Sequence, residues 1–226
     1  MAVVKLEQIG KRYDGGAPVI SDVSLTLEAG GFYLLTGASG SGKTTLLRLI
    51  TLAEQPTQGR LTLFGADTAA LDRIARAALR RRIGIVFQDL WLIDALSAGD
   101  NIALPLRIAG APAPQIRDNV AELLAWVGLA GRADARTATL SGGERHRVAI
   151  ARAIVHRPEL LIADEPGGNG DEIALLLVRI FEQINRLGTT VLIATDDTAF
   201  ARRFEHRRLH LDHGMLSDAG AAVAAQ

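Results

Sequence analysis

Three things are missing from this chain: cysteine, net charge and any long apolar run. Without cysteine, disulfide frameworks and thiolate chemistry are excluded. Lysine plus arginine and aspartate plus glutamate both number 25, so no global basic field favours nucleic acid as a partner. No apolar run reaches the length of a membrane span, and the N-terminus is charged too early for a signal peptide. We therefore expect a soluble globular protein, which leaves attachment to a membrane partner open.

A glycine-rich segment between two apolar stretches, 32–35 and 46–52, has the pattern of a phosphate loop. This context predicts a strand, a turn and a helix start that together hold a nucleoside triphosphate through backbone N–H groups and the helix dipole. Lys43 would supply charge to the outer phosphates, Thr44 a hydroxyl to Mg²⁺, and Thr45 a second hydroxyl. The alternative is a turn that binds nothing. The predicted nucleotide-binding residues are Gly37, Ala38, Ser39, Gly40, Ser41, Gly42, Lys43, Thr44 and Thr45.

Two further apolar runs end in polar side chains, at the strand ends where ligands bind in open parallel sheets. The run 83–87 leads to Gln88, whose amide oxygen is a candidate ligand for the same Mg²⁺. The run 160–163 leads to Asp164 and Glu165. Acids at the end of a buried strand are rarely there for packing. We expect Asp164 to hold Mg²⁺ through water, and Glu165 to accept a proton from the water that attacks the terminal phosphate.

A helix predicted to run to residue 155 begins with Ser141, Gly142, Gly143 and Glu144. Serine and glutamate at this spacing form a capping box, which by itself makes a good helix start. Glycines weaken a helix interior, however, and they suit a backbone that a phosphate approaches. A phosphate loop plus a second anion site indicates that two copies pair head to tail around shared nucleotides.

The order of apolar patterns predicts one α/β domain with a helical insertion. Residues 1–88 and 156–226 are expected to form the core with an antiparallel β part, and 89–155 the helical subdomain. Alternation at 3–9 and 19–27 predicts the antiparallel strands.

Two regions remain open at this level. The aromatic and aliphatic residues of the insertion either form its core or, at 91–93, lie exposed as a docking site for another protein. The run 207–212 predicts the last strand, and the alanine-rich tail 218–226 is expected to be mobile. The candidate core residues of the insertion are Trp91, Leu92, Ile93, Leu96 and Trp126.

In this order and spacing, the motifs resemble the ATP-binding subunits of ABC transporters. They are the phosphate loop, Gln88, the segment 140–144 (Leu-Ser-Gly-Gly-Glu) and the segment 161–166 (Leu-Ile-Ala-Asp-Glu-Pro). The stretches 100–110 and 181–195 are similar to the cell-division subfamily of the FtsE type. Lipoprotein-releasing and macrolide-exporting ATPases share the first of these in part.

The resemblance implies a P-loop NTPase fold with a RecA-like core, and a homodimer that closes on two ATP molecules with Mg²⁺. Each ATP would lie between one chain's phosphate loop and the other's Ser141, Gly142 and Gly143. Tyr13, from local sequence a strand-end aromatic, becomes the candidate for stacking on adenine.

Among partners, the resemblance implies an FtsX-like membrane protein that docks near Gln88 and Trp91, with other division proteins as further candidates. Nucleic acid is not expected as a partner, because the net charge is zero and the helical insertion is short. The chain would be peripheral on the cytoplasmic face of the cell membrane, and closure of the dimer would control cell-wall hydrolysis in division. The alternatives are a lipoprotein-releasing or macrolide-type exporter ATPase, and a weakly hydrolysing, ATP-gated scaffold.

Three positions depart from the family pattern. Asp196 stands where the family has a histidine that contacts the terminal phosphate, so repulsion is expected to slow this ATPase. Gly167 and Gly170 replace threonine and leucine, which makes the interface loop more flexible. Arg145 and His146 replace two glutamines.

Overall fold

The computed structural model describes residues 1–167 and 171–221, and within them the chain forms two β-sheets with helices packed around them. The strands are β1 (Ala2–Arg12), β2 (Pro18–Glu28), β3 (Phe32–Thr36), β4 (Gln58–Leu63), β5 (Ala66–Asp67), β6 (Ile83–Val86), β7 (Leu160–Asp164), β8 (Thr190–Thr195), β9 (Arg207–Asp212) and β10 (Met215–Ala221). The α-helices are α1 (Lys43–Ile50), α2 (Arg73–Arg80), α3 (Ala98–Ile108), α4 (Ala113–Trp126), α5 (Gly142–Ile154), α6 (Asp171–Arg186) and α7 (Thr198–Ala201).

The larger sheet has the order β10-β9-β3-β8-β7-β6, and its strands are parallel except at the β10 edge. Successive residues of a strand point to opposite faces, so Leu34 packs towards α5, α6 and α7, whereas Leu35 packs towards α1 and the other sheet. Both faces are thus covered, which explains why β7 and β8 are apolar along their length. The carboxyl ends of these strands form one edge, where the predicted phosphate loop, Gln88, Asp164 and Glu165 lie.

The smaller sheet is antiparallel, with the order β2-β1-β4-β5. The predicted strands at 3–9 and 19–27 are confirmed as parts of β1 and β2. Leucines and valines on one face of these strands join α1 and the parallel sheet in a common core. The α/β fold class, with a P-loop core, an antiparallel β part and a helical part, is therefore confirmed.

The helical part is held together by a separate apolar cluster that joins α3, α4 and α5 through Ile102, Leu124 and Val148. The prediction that Trp126 belongs to this core is wrong, because its exposed fraction is 36% and smaller aliphatic side chains fill the space. Leu92 packs against the cluster as predicted, whereas Leu96 is half-buried and is not one of its members. Ile93, like Trp91, is exposed, with exposed fractions of 46% and 62%. The exposed alternative for Trp91 is the one found. Helix α5 also packs on the parallel sheet, so the division of the chain at residue 155 stays a prediction.

The C-terminal segment corrects another expectation. The last described strand is β10 rather than β9, and it pairs antiparallel with β9 where a mobile tail is predicted. His213 and Gly214 both have positive φ, the conformation of a tight hairpin turn, and Asp218 pairs with Arg207 across the strands. The Asp-His-Gly sequence was the available signal. Residues 222–226 of the predicted tail lie outside the described residues.

No helix among residues 1–167 and 171–221 combines the length and the apolar character that crossing a bilayer requires. The helices instead bury apolar faces against the sheets or against one another. Helix α2 contributes least to these faces, since none of its residues is fully buried and only the partly buried Leu79 packs against the core.

We expect His156, which follows α5, to make the free energy of unfolding depend on pH. Burial lowers the pKa of His156, and the backbone of Ile83 offsets this only in part. Because the unfolded chain binds the proton more readily, the free energy of unfolding falls as pH drops below about 6.5. When the pH is lowered from 7.5 to 5.5, we expect the free energy of unfolding of His156→Asn to fall by about 1 kcal/mol less than that of the wild type. Urea unfolding at both pH values is the measurement.

The control is His213→Asn, because the His213 side chain is 90% exposed. This variant should keep the pH dependence of the wild type. An unchanged pH dependence in His156→Asn would show that the buried imidazole is not responsible.

Candidate nucleotide-binding site

The predicted phosphate loop forms the turn between β3 and α1. Gly42 caps α1 with a φ of 107°, and a Cβ atom there would lie 2.9 Å from the carbonyl oxygen of Val19, so only glycine fits without strain. Ala38 to Gly40 are exposed, whereas Ser41 is buried and its hydroxyl has no hydrogen-bond partner within the described part of the chain. The loop therefore presents backbone and an unused buried hydroxyl, as an anion cradle does.

Lys43 is the positive charge of the loop, and only 6% of it is exposed. Its Nζ atom donates to the carbonyl oxygens of Gly37 (2.9 Å) and Ala38 (3.3 Å). The same atom lies 3.3 Å from Oε1 of Glu165. The ammonium group is thus held between the loop backbone and the acid that follows β7.

Glu165 occupies an unusual backbone conformation for a residue with a side chain, with a φ of 47°. Such left-handed conformations cost about 1–3 kcal/mol and persist where surrounding contacts enforce them. Here the Glu165 N–H donates to the carbonyl oxygen of Ala194 (2.8 Å), and the Asp196 N–H donates to both Glu165 carboxylate oxygens (3.0 and 3.1 Å). Strand β8 and the residue after it therefore fix the position of this carboxylate.

Asp164 carries an unsatisfied oxygen. Its Oδ2 accepts a hydrogen bond from the Thr44 hydroxyl (3.0 Å), while its buried Oδ1 has no partner among the described residues. Burial raises the pKa of Asp164, the charge of Glu165 adds to this effect, and the Thr44 hydrogen bond opposes it. A buried carboxylate with a free oxygen beside a hydroxyl suits Mg²⁺, which takes one or two protein carboxylates and completes its shell with phosphate and water.

A pocket of about 360 Å³ brings most of the predicted site residues together, a volume in the range of small-molecule sites. It is lined by Tyr13, Val19, Ser39, Gly40, Gly42, Lys43, Thr44, Thr45, Gln88, Glu165 and Asp196. A second pocket beside it is lined by Thr44, Gln88, Trp91 and Asp164, among others. Thr44 and Gln88 border both pockets, so the two share a wall.

The residues predicted to bind nucleotide on α5 do not line this pocket. Ser141 caps the helix, with its hydroxyl accepting from the Glu144 N–H (3.3 Å) and the Glu144 carboxylate accepting from the Ser141 N–H (2.8 Å). Ser141 and Gly142 are exposed, and a Cβ on Gly142 would meet no atom of the described residues around the helix within 4 Å. Within one chain, therefore, Ser141, Gly142 and Gly143 lie outside the phosphate-loop pocket, with Gly143 half-buried against Ile173.

The segment after β6 has a feature that sequence reasoning missed. Leu90 and Trp91 both have positive φ, and the Arg152 side chain of α5 donates to their carbonyl oxygens at 2.5 and 2.6 Å. The Trp91 ring stacks on Phe87 at 4.1 Å between centroids. Because Arg152 and Trp91 are 61 residues apart in the sequence, this contact leaves no local sequence pattern. Arg152 thus ties the exposed Trp91 to the helix that begins at Ser141.

The positions that depart from the family pattern lie in different parts of the structure. Asp196 is exposed and lines the pocket beside Glu165. Arg145 pairs with Asp94 (2.9 Å), and His146 contacts the carbonyl oxygen of Gly142 (2.9 Å). Residues 168–170 of the predicted interface loop lie outside the described residues.

Comparisons with known proteins agree with this geometry. Residues 20–168 match the family model described as ABC transporter. The chain is 42% identical to the cell division ATP-binding protein FtsE of Escherichia coli (strain K12), covering 95% of this chain and 97% of the relative. It is 39% identical to the methionine import ATP-binding protein MetN of Caulobacter vibrioides, covering 97% of this chain and 67% of the relative.

Solved structures are similar as well. A dimeric ATP-binding cassette in a post-hydrolysis state with ADP and Pi bound superimposes with a TM-score of 0.87 at 32% identity, covering 96% of this chain and 98% of that one. Sequence family, fold and the arrangement around the phosphate loop therefore agree. The chain belongs to the ABC transporter family, as one of its ATP-binding ATPase subunits.

Proposed function

We propose that ATP is hydrolysed at the pocket beside the phosphate loop, with Lys43 on the outer phosphates and Glu165 as the general base. The observation that carries this proposal is the position of Lys43 Nζ, within 3.3 Å of both the loop backbone and the Glu165 carboxylate. A phosphate held by this ammonium group would lie next to a carboxylate able to take a proton from water.

Binding follows from the chemistry of the loop. Backbone N–H groups and the N-terminus of α1 favour the negative phosphates, and Ser41 offers a buried hydroxyl that is otherwise unpaired. Thr44, Gln88 and Asp164 are the residues that would hold Mg²⁺, which neutralises the charge of the outer phosphates when bound. Tyr13 lines the same pocket and would stack on the adenine.

Hydrolysis requires that a water attack the terminal phosphorus and lose its proton. Glu165 would accept that proton, because its carboxylate is fixed by the Asp196 N–H and adjoins the pocket. The bond between the terminal phosphorus and the bridging oxygen then breaks, releasing phosphate and ADP. Lys43 would balance the charge that develops on the phosphate oxygens.

Asp196 is the residue that sets the rate in this proposal. Its carboxylate lines the pocket, and an ionised carboxylate near the terminal phosphate repels it. We expect Asp196→His to raise kcat by roughly 10-fold, which corresponds to removing about 1.4 kcal/mol of solvent-screened repulsion. Phosphate release with Mg²⁺-ATP is the measurement. Asp196→Asn, which removes the charge without adding an imidazole, should lie between the two.

Asp118→His is the matched control, since Asp118 is exposed on α4 and does not line the pocket. It should leave kcat unchanged. A wild type that turns over no more slowly than Asp196→His would show that the charge is tolerated. A wild type that binds ATP and releases no phosphate would instead support the ATP-gated scaffold.

We further propose that the chain acts as a homodimer in an FtsEX-like complex that controls cell-wall hydrolysis in division. Each ATP would lie between the phosphate loop of one copy and Ser141, Gly142 and Gly143 of the other. The identity to FtsE over nearly the whole chain and the exposure of the α5 N-terminus support this assignment. An FtsX-like membrane protein is the proposed partner, with other division proteins as further candidates.

The proposed docking site is the exposed Trp91 and the pocket beside it. Because Thr44 and Gln88 border both this pocket and the nucleotide pocket, a partner seated there would act on the groups around the metal and phosphate. The likeness to MetN makes a transporter subunit the second candidate, as do the lipoprotein-releasing and macrolide-type exporters. In every case the chain would lie on the cytoplasmic face of the membrane.

The partner assignment is tested by reconstituting the chain with an FtsX-like protein or with a methionine permease and measuring phosphate release. We expect only the FtsX-like protein to change the rate, and Trp91→Ala to remove that effect. Trp126→Ala is the matched control, because Trp126 is also an exposed tryptophan but lies at the end of α4, outside the proposed docking site. This variant should keep the response to the FtsX-like protein. A response to the permease alone would replace the division role with transport.

A further inference from the structure

Tyr13 is held by a residue from a different part of the chain. It follows β1, is 40% exposed and lines the pocket of the phosphate loop. Its hydroxyl donates to Oε2 of Glu54 at 2.6 Å, across 41 residues of sequence. Glu54 lies in the turn after α1, where its own N–H donates to the carbonyl oxygen of Arg48 (3.1 Å). The turn that ends the phosphate-loop helix therefore holds the tyrosine.

Lys11 completes this arrangement. Its Nζ atom lies 3.2 Å from Glu54 Oε2 and 4.9 Å from the centroid of the Tyr13 ring, above its face. The same atom donates to the carbonyl oxygen of Gln55 (3.0 Å). One face of the ring is thus covered by an ammonium group, which leaves the other face for a planar ligand.

We propose that Glu54 is a positioning residue for nucleobase binding, which together with Lys11 fixes the Tyr13 ring in the orientation that stacks on adenine. This inference rests on the proposed binding of ATP in the same pocket. The hydroxyl proton of Tyr13 is committed to Glu54. The ring therefore contributes stacking and donates no hydrogen bond to the base. A ring held in one orientation loses little entropy when the base binds.

The groups around Glu54 keep its carboxylate ionised, so that it accepts hydrogen bonds. Burial raises the pKa of Glu54, but the hydrogen bonds from Tyr13 and Lys11 outweigh burial and hold the pKa below its ordinary value. Arg48 of α1 adds a weaker ion pair at 3.5 Å from Oε1. Glu54 therefore stays ionised at neutral pH and accepts the Tyr13 hydroxyl as a charge-assisted hydrogen bond.

The experiment separates the base from the phosphates. Affinities for Mg²⁺-ATP and for Mg²⁺-tripolyphosphate, which has no base, are measured by calorimetry for wild type, Glu54→Ala, Tyr13→Phe and the double variant. We expect Glu54→Ala to weaken ATP binding roughly fivefold to tenfold, with the affinity for tripolyphosphate unchanged. This loss is smaller than that of a direct hydrogen bond to a charged group, because Glu54 acts on the base only through the Tyr13 ring. In the Tyr13→Phe background, Glu54→Ala should have no further effect on ATP.

Two variants serve as controls. Glu54→Gln keeps an oxygen that accepts the Tyr13 hydroxyl and should retain more ATP affinity than Glu54→Ala. Glu7→Ala removes a different lysine–glutamate ion pair, that between Lys5 and Glu7 of β1 (2.7 Å). It should leave the affinities for ATP and tripolyphosphate unchanged. In turnover, Glu54→Ala should raise KM for ATP and leave kcat at the wild-type value.

A purely structural role would give a different pattern. If Glu54→Ala weakens ATP and tripolyphosphate equally, or acts undiminished in the Tyr13→Phe background, the inference is overturned. An unchanged ATP affinity in Glu54→Ala overturns it as well. A wild type that binds neither ligand would be a failure of the proposed function itself, and the inference would fall with it.

Discussion

Replacing Glu165 with glutamine is expected to lower phosphate release by about 10²–10⁴-fold, which is the share of rate that a positioned general base supplies. Glutamine keeps an oxygen for Lys43 and for the Asp196 N–H, so the geometry of the pocket is retained. An amide takes no proton from water at neutral pH, so hydrolysis stops after ATP has bound. Single-turnover phosphate release, together with the ATP dissociation constant, checks both halves of this expectation.

Glu159→Gln is the matched control for this variant. Glu159 immediately precedes the other end of β7, pairs with Arg82 at 2.6 Å and is exposed. Its replacement should leave phosphate release at the wild-type rate. If Glu165→Gln also hydrolyses ATP at that rate, Glu165 is not the base. If the proposed dimer is correct, Glu165→Gln should elute as a dimer in ATP, because closure is no longer relieved by hydrolysis.

The second large effect is expected on binding. Lys43→Met keeps the length of the side chain and removes its charge, and ATP affinity should fall roughly 10- to 100-fold, the scale of a lost hydrogen bond between charged groups. Because the lost contact is to phosphate, the affinity for tripolyphosphate should fall by the same factor. This common loss is the opposite of the base-specific effect expected for Glu54→Ala. Calorimetric titration of both ligands is the measurement.

The matched control is Lys5→Met, since Lys5 is an exposed lysine of β1 that lies outside the pocket. Both affinities should remain those of the wild type. Equal ATP affinity in Lys43→Met and the wild type would mean that the phosphates bind elsewhere, which would remove the basis for the proposed roles of Thr44 and Glu165 as well.

The local pattern predicted much of the candidate site. A glycine-rich turn between two apolar runs identifies its own strand and helix, because all three are neighbours in sequence. Polar residues at the ends of apolar strands are likewise visible in the local sequence. Asp164 is the last residue of its strand, and Gln88 and Glu165 come just after theirs, as predicted. The Ser141–Glu144 capping box is also local, spanning four residues.

What escaped prediction depends on contacts between distant segments. Trp126 has the large apolar side chain of a typical core residue, but α3 and α5 fill this core with smaller side chains. Strand β10 is stabilised by its pairing with β9, not by its own weak alternation. Arg152 and Glu54 act through partners 61 and 41 residues away, and neither belongs to a motif.

The sequence by itself determined which chemistry is present: a phosphate-binding loop, a carboxylate pair and an amide, each at the end of its own element. The tertiary structure decided which of these meet. Parallel pairing of β3 with β8 and of β8 with β7, with Thr36 opposite Thr195 and Asp164 opposite Ala194, brings the strand ends to one edge. Thr44 thereby reaches Asp164 across 120 residues, while Ser141 stays outside that pocket. Hydrogen-bond register between distant strands sets these distances, and no local pattern encodes it.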